Sequence, residues 1–279
     1  MKEDAFFWFR ENRLVIPGIQ REHLFMHVTD THVSTADAQS TPEEREQTEK
    51  QEALWAVFKE KFARGLMEFC QGADEPYGDA QRISTVEAFE KQLALAEELR
   101  PDALLFSGDN LDHMHPAGVR YLAKRLAEYG GRYICVPGNH EDPECPGAWT
   151  SGVHTLEFEG FRIAAVDDSR MTVSTEDLDA LRALCGEGKP MIVLCHVPVM
   201  TAFCRDALTG SKYFFIDSET ADENARDFVS LCETNDAVRA ILCGHVHGYH
   251  AVEFAPGKPQ IIGSQGMAGA VHLLTVAGK

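Results

Sequence analysis

Short apolar runs recur along this chain, each closed by a polar loop, and most are separated by segments with helical spacing. Leu24 to Val28 forms the first such run and reads as a strand entering the loop at Thr29. Ala103–Phe106, Tyr133–Val136, Met191–Cys195 and Val238–Cys243 repeat the pattern. Helices are predicted between them. Ser84-Thr85-Val86-Glu87 is a capping box that opens one helix, which runs to about Leu99 before Pro101. Pro116 to Tyr129 ends at a glycine pair, and further helices cover Thr175 to Leu184 and Ala221 to Cys232. Thr155–Phe158 and Arg162–Val166, joined through Glu159-Gly160, read as a hairpin. Strands near His250–Phe254, Gln260–Ile262 and Val271–Val276 close the chain. The first twenty or so residues carry little pattern. Strand and helix alternate in the middle and hairpins gather at the end, which predicts an α/β fold with a mixed sheet or two packed sheets.

One stretch departs from this rhythm. From Ser34 to Arg82 the sequence is charged, and Pro42 to Phe69 has apolar positions at helical spacing, among them Leu54, Trp55, Phe58 and Phe62. Thr41-Pro42 is a helix start. Because the stretch is too short to bury its own core, it reads as an insertion at about 34–82 in a single domain spanning 1–279.

The polar residues that follow the apolar runs carry the chemistry. Asp30 and His32, Asp109, Asn139 and His140, His196, and His245 with His247 each come directly after a predicted strand. In α/β sheets, ligands gather where loops leave the carboxyl ends of strands. Imidazole suits zinc, iron and similar metals, while carboxylate and amide oxygens suit manganese or magnesium. A mixed set therefore points to a pair of transition-metal ions. Such a pair offsets phosphate charge and generates hydroxide near neutral pH. Asp109, in a tight Gly-Asp turn, is placed to bridge the two. Gly108, Gly138 and Gly244 each precede a candidate ligand.

Composition narrows the partners. The 279 residues carry 44 acidic and 26 basic side chains, a formal charge of -18. That surface repels nucleic acid and anionic membrane except where bound cations reverse it locally. No apolar stretch approaches a membrane span, and the Phe6 to Phe9 cluster is too short for a secretory leader, so a cytoplasmic protein is expected. None of the eight cysteines forms a C-x-x-C pair, and they read as reduced thiols.

Taken in order, the residues resemble the calcineurin-like metallophosphoesterases, whose motifs run D-x-H, GD-x-x-D, GNH-[E/D], H and GH-x-H. The matching residues are Asp30-Thr31-His32, Gly108-Asp109-Asn110-Leu111-Asp112, Gly138-Asn139-His140-Glu141, His196 and Gly244-His245-Val246-His247. The resemblance implies a four-layer α/β/β/α sandwich of two mixed sheets flanked by helices. It implies two ions of manganese, iron or zinc. One would be held by Asp30, His32, Asp109 and His247, the other by Asp109, Asn139, His196 and His245. His140 would face the phosphate and protonate the leaving oxygen, and Asp112 would orient it. Bridging hydroxide would attack phosphorus in line. Asp112 stands where purple acid phosphatases place a tyrosine nearby. His113-Met114-His115 replaces the arginine-bearing signature of protein serine/threonine phosphatases. The pattern is most similar to bacterial cyclic-nucleotide and glycerophosphodiester phosphodiesterases, which implies a small phosphodiester as substrate, with a small phosphomonoester as the alternative. The insertion would cap the entrance.

A non-catalytic binding module on the same scaffold is the second reading, disfavoured because every ligand position is intact. A metallo-β-lactamase type is set aside because its H-x-H-x-D-H run is absent. Other residues read as structural. His113 and His115 fit a solvated helix start better than the lining of a substrate pocket, and Trp55, Phe58 and Phe62 the buried face of a helix better than a roof over the site. Asp167-Asp168-Ser169 reads as a turn, and His23, His27, His154 and His272 as structural. Tyr249 and His250 are read equally as ring-stacking groups or as the start of a strand.

Overall fold

The computed structural model describes residues 7–63, 83–141, 152–208 and 214–279. Two sheets face one another. The first has strand order β1 (Trp8–Val15), β13 (Ala270–Ala277), β2 (His23–Val28), β3 (Ala103–Ser107) and β4 (Tyr133–Val136). The second has order β11 (His250–Ala255), β12 (Lys258–Ile262), β10 (Val238–Cys243), β7 (Met191–Leu194), β6 (Phe161–Ala165) and β5 (His154–Phe158). Both are mixed: β2, β3 and β4 run parallel, while β13 meets β2 antiparallel. In the second sheet, β6, β7, β10 and β12 run parallel between antiparallel edges. A small pair, β8 (Val199–Met200) and β9 (Ile216–Asp217), lies apart.

Near-continuous apolar strands predict burial on both faces, and the core divides accordingly. Phe25, Leu105, Val136 and Leu274 of the first sheet meet Ile163, Leu194, Leu242 and Ile261 of the second. Alternate residues point outward. Met26, Leu104 and Phe106 pack with Phe89 and Leu93 of α2 (Thr85–Leu99) and with Leu122 and Leu126 of α3 (Pro116–Tyr129). On the far side, Val193 and Ile241 pack with Leu178 and Leu181 of α4 (Thr175–Gly186) and Phe228 of α5 (Glu223–Thr234). The fold is thus the expected four-layer α/β/β/α sandwich. No described helix is long and apolar enough to cross a membrane.

Local signals explain the helix starts. Ser84 accepts from the Glu87 N–H at 3.1 Å, as its capping box predicts. α1 (Pro42–Ala63) has the full reciprocal box, with Thr41 Oγ1 accepting from the Glu44 N–H and Glu44 accepting from the Thr41 N–H at 2.8 Å. The predicted extension to Phe69, and Phe62's side chain, lie outside the described residues. The patternless N-terminus is corrected: Trp8–Val15 is a strand added in parallel to β13. Polar residues, Glu11 and Arg13 among them, stand on the wet side of this edge strand, and this blurred the apolar alternation.

Candidate metal centre

The parallel strands of both sheets deliver their carboxyl ends to one edge. Main-chain bonds stitch the loops there: Asp30 N–H donates to the Gly108 carbonyl at 3.0 Å, and Gly244 N–H to the His196 carbonyl at 2.9 Å. Four segments therefore meet at fixed separations. Asp30, His32, Asp109 and His247 each bring one ligand atom within 4.8 Å of the others. Asp109, His196 and His245 do the same. Asn139 joins the second group, its Oδ1 lying 3.1 Å from His196 Nε2. All seven residues expected to bind metal stand together, with Asp109 common to both groups.

Backbone strain concentrates here. Among the described residues, seven non-glycine positions have positive φ, and Asp30, His32, Asp109, His245 and His247 are five of them. Each such conformation costs about 1–3 kcal/mol and persists only where its surroundings over-determine it. The glycines before Asn139 and His245 have a different reason. A Cβ on Gly138 would lie 2.1 Å from Asp109 Oδ1, and one on Gly244 would lie 1.8 Å from Thr29 Oγ1 and 2.6 Å from Asp30 Oδ2. Asp109, Thr29 and Asp30 fill the space a side chain would need.

The donor set fits cations. His196 Nδ1 lies 2.7 Å from the Ser107 carbonyl, so that nitrogen bears hydrogen. Its Nε2 then faces two acceptors, Asn139 Oδ1 at 3.1 Å and Asp109 Oδ2 at 3.3 Å. In the cation-free chain a proton resolves the conflict: burial pulls the imidazole down, but Asp109 and Asp30 together push it up to about 10. In the other group, the Nε2 atoms of His32 and His247 stand 3.1 Å apart, with Asp30 Oδ1 3.2 Å from the latter. Two imidazole nitrogens and two carboxylates converging on one point form a group that could hold a metal ion. His245 is pushed down to about 3, by burial first and by the His196 charge second, so it stays neutral and able to ligate.

His140 stands beside the cluster. Its Nδ1 lies 3.0 Å from the Asp112 main-chain carbonyl and 3.5 Å from Asp112 Oδ1, and its own N–H donates to Asp109 Oδ1 at 2.9 Å. The nearer orienting group is thus the Asp112 carbonyl rather than its carboxylate. Burial lowers the His140 imidazole, but Asp112 and Asp109 outweigh this and raise it to about 9.

Several residues read as structural reach this site. Asp168, taken for a turn residue, is fully buried and accepts from the main-chain N–H groups of His196 at 2.7 Å and Val197 at 3.0 Å. It follows the buried strand β6, and so obeys the same strand-end pattern as the ligands. Glu141 bridges two loops, accepting from Leu111 N–H at 2.7 Å and Gly138 N–H at 2.8 Å. Burial pushes its carboxyl up to about 8. Trp55 is buried as its helical stripe predicts, but its ring centroid lies 4.3 Å from that of His32. His113 is not simply solvated: it stacks on His140 at 6.4 Å. Tyr249 points elsewhere, stacking on His272 and donating to Asn12.

Comparison with known proteins agrees with this geometry. A calcineurin-like phosphoesterase family model matches residues 23–249. The chain belongs to the calcineurin-like phosphoesterase family. Within that family it is similar to a Synechococcus protein named "probable cyclic nucleotide phosphodiesterase", 28% identical over 161 residues. That match covers 53% of this chain and 58% of the relative. A Rhodococcus erythropolis protein of the same name is 28% identical over 190 residues, covering 61% and 59%. The chain thus spans less than two thirds of the length of these curated relatives. Among solved structures, a dimetal phosphatase from Danio rerio shares the fold, with a TM-score of 0.53, 11% identity and 88% coverage of both chains.

Proposed function

We propose that this calcineurin-like phosphoesterase is a dinuclear metal-dependent hydrolase of small phosphodiesters. The observation that carries the reading is the membership of Asp109 in both ligand groups, which is what a carboxylate bridging two ions requires. Bound there, two divalent cations would neutralise phosphate charge and acidify the water that attacks phosphorus in line. The chain's own residues do the rest. Asp30, His32 and His247 hold one ion, and Asn139, His196 and His245 the other. Asp168 fixes the His196 loop through two main-chain donors. His140, held at Nδ1, keeps Nε2 for the leaving oxygen and carries the proton that oxygen needs. The names of the curated relatives support a diester, and the acidic composition favours a small substrate over a long polyanion. The 34–82 insertion belongs to the same single domain in this reading, with α1 capping the site.

The test pairs metal analysis with turnover. Protein loaded with Mn²⁺, Zn²⁺ or Fe²⁺ should bind two ions per chain and hydrolyse aryl phosphodiesters faster than aryl monoesters. Asp109→Asn should lose both ions and all turnover. Faster monoester cleavage would move the substrate to a phosphomonoester. A chain that binds no metal and turns over neither ester would sink the hydrolase reading and leave a binding module.

A further inference from the structure

Helix α1 lies outside the strand ends that build the metal centre, yet two of its side chains reach the His140 apparatus. The Trp55 indole N–H donates to Asp112 Oδ1 at 3.0 Å. The same oxygen stands 3.5 Å from both His32 Nδ1 and His140 Nδ1, so the indole makes its shortest contact. Indole only donates, which fixes this buried oxygen as an acceptor. One turn earlier, the Gln51 side-chain amide bonds His113 Nε2. His113 lies parallel to His140, at 17°, and its Nε2 is 3.4 Å from Asp112 Oδ2. One carboxylate oxygen of Asp112 is therefore held directly from α1, by Trp55, while the Gln51 amide donates to His113 Nε2, which leaves that nitrogen no hydrogen for Asp112 Oδ2. His140 Nδ1 faces both the Asp112 carbonyl at 3.0 Å and the oxygen that Trp55 holds at 3.5 Å, so the placing of Asp112 bears on His140.

The helix is itself firmly docked. Glu52 accepts from the Thr85 N–H at 3.1 Å, buried Lys59 donates to the Ile83 carbonyl at 3.0 Å, and Trp55 packs with Trp8 and Met267. Apolar packing alone would have satisfied an aromatic stripe. An N–H aimed at a buried carboxylate beside the catalytic imidazole is a further feature.

We propose that Trp55 is a positioning residue for the Asp112–His140 pair, so that docking of α1 sets how well His140 presents its proton to the leaving oxygen. This rests on the reading of His140 as the acid that protonates the leaving group. Trp55→Phe keeps an aromatic ring in the stripe, though a smaller one, and removes the N–H. With methyl phenyl phosphate, whose leaving oxygen needs a proton, kcat should fall about tenfold, the lower end of effects from groups that orient a reacting centre. With methyl para-nitrophenyl phosphate, whose leaving group departs unaided, kcat should stay within about twofold, since no proton transfer is needed. KM and bound metal should not change. Equal slowing of both esters, or of neither, overturns the proposal.

A second readout needs no turnover. In ¹⁵N–¹H spectra of the metal-free protein, the indole signal lost in Trp55→Phe should move in Asp112→Asn while the other two indoles stay. An unmoved signal overturns the proposal. If the wild type cleaves neither ester, the hydrolase reading fails, and the indole shift still decides whether Trp55 holds Asp112.

Discussion

Replacing Gly138 by alanine tests how tightly the bridging carboxylate is held. An added Cβ would sit 2.1 Å from Asp109 Oδ1, 2.3 Å from the Asp109 main-chain nitrogen and 2.7 Å from its Cγ. Carbon and its neighbours rest at roughly 3.5–4.0 Å, so something must shift by more than about 1 Å. The carboxylate could rotate, but the main-chain nitrogen cannot, and it belongs to a loop pinned by the Asp30 and His32 N–H groups. Overpacking costs about 1–3 kcal/mol where a core adjusts, and a main-chain obstacle places this case at the upper end. At about 2–4 °C per kcal/mol for a chain of this size, the metal-free midpoint should fall by about 6–12 °C. Both ions should weaken together, by about tenfold or more, because Asp109 belongs to both groups. The assay is thermal unfolding of the metal-free protein, with metal content measured after equilibration in limiting Mn²⁺. Gly186→Ala is the control: that glycine ends α4 with nothing within 4 Å of a Cβ, and neither quantity should change. If Gly138→Ala melts and binds two ions as the wild type does, the close packing around Asp109 is wrong.

Three further outcomes are expected. His140→Ala should retain both ions and lose roughly 10²-fold or more in kcat on esters with poor leaving groups, the scale of general acid catalysis; full activity would remove His140 from the reaction. Asp168→Ala should destabilise the fold by about 1–3 kcal/mol, since two buried N–H donors lose their acceptor, and should weaken the ion held by His196, read by denaturant melts and metal titration. Metal affinity should rise with pH. His196 in the cation-free chain is raised to about 10, so between its ordinary value and that limit it holds a proton that an ion must displace. Calorimetry near pH 8 in buffers of different ionisation enthalpy should detect proton release, and a pH-independent affinity across pH 7–9 would contradict the assignment.

The residues that converge at the strand ends were legible because one rule repeats: an apolar strand, then a polar residue, five times in order. Asp168 obeys the same rule but was read as a turn, because an Asp-Asp-Ser triplet is ordinary loop composition and its accepted N–H bonds are invisible in sequence. Trp55 shows a different limit. Helical spacing correctly predicted its burial, but spacing says nothing about where an indole N–H points, and its partner Asp112 is 57 residues away. The contacts of His113 are hidden in sequence for the same reason, since they come from α1 and from the loop after β4. β1 went unseen because a strand with a wet face and a terminal position leaves only a faint alternation, and it is the pairing with β13 that defines it.

The central claim is that one carboxylate joins two cations, and electron paramagnetic resonance of the Mn²⁺-loaded protein addresses it most directly. Two manganese ions sharing Asp109 should give an exchange-coupled signal at two equivalents, which collapses in Asp109→Asn. One bound ion, or two that give independent single-ion spectra, would contradict the account.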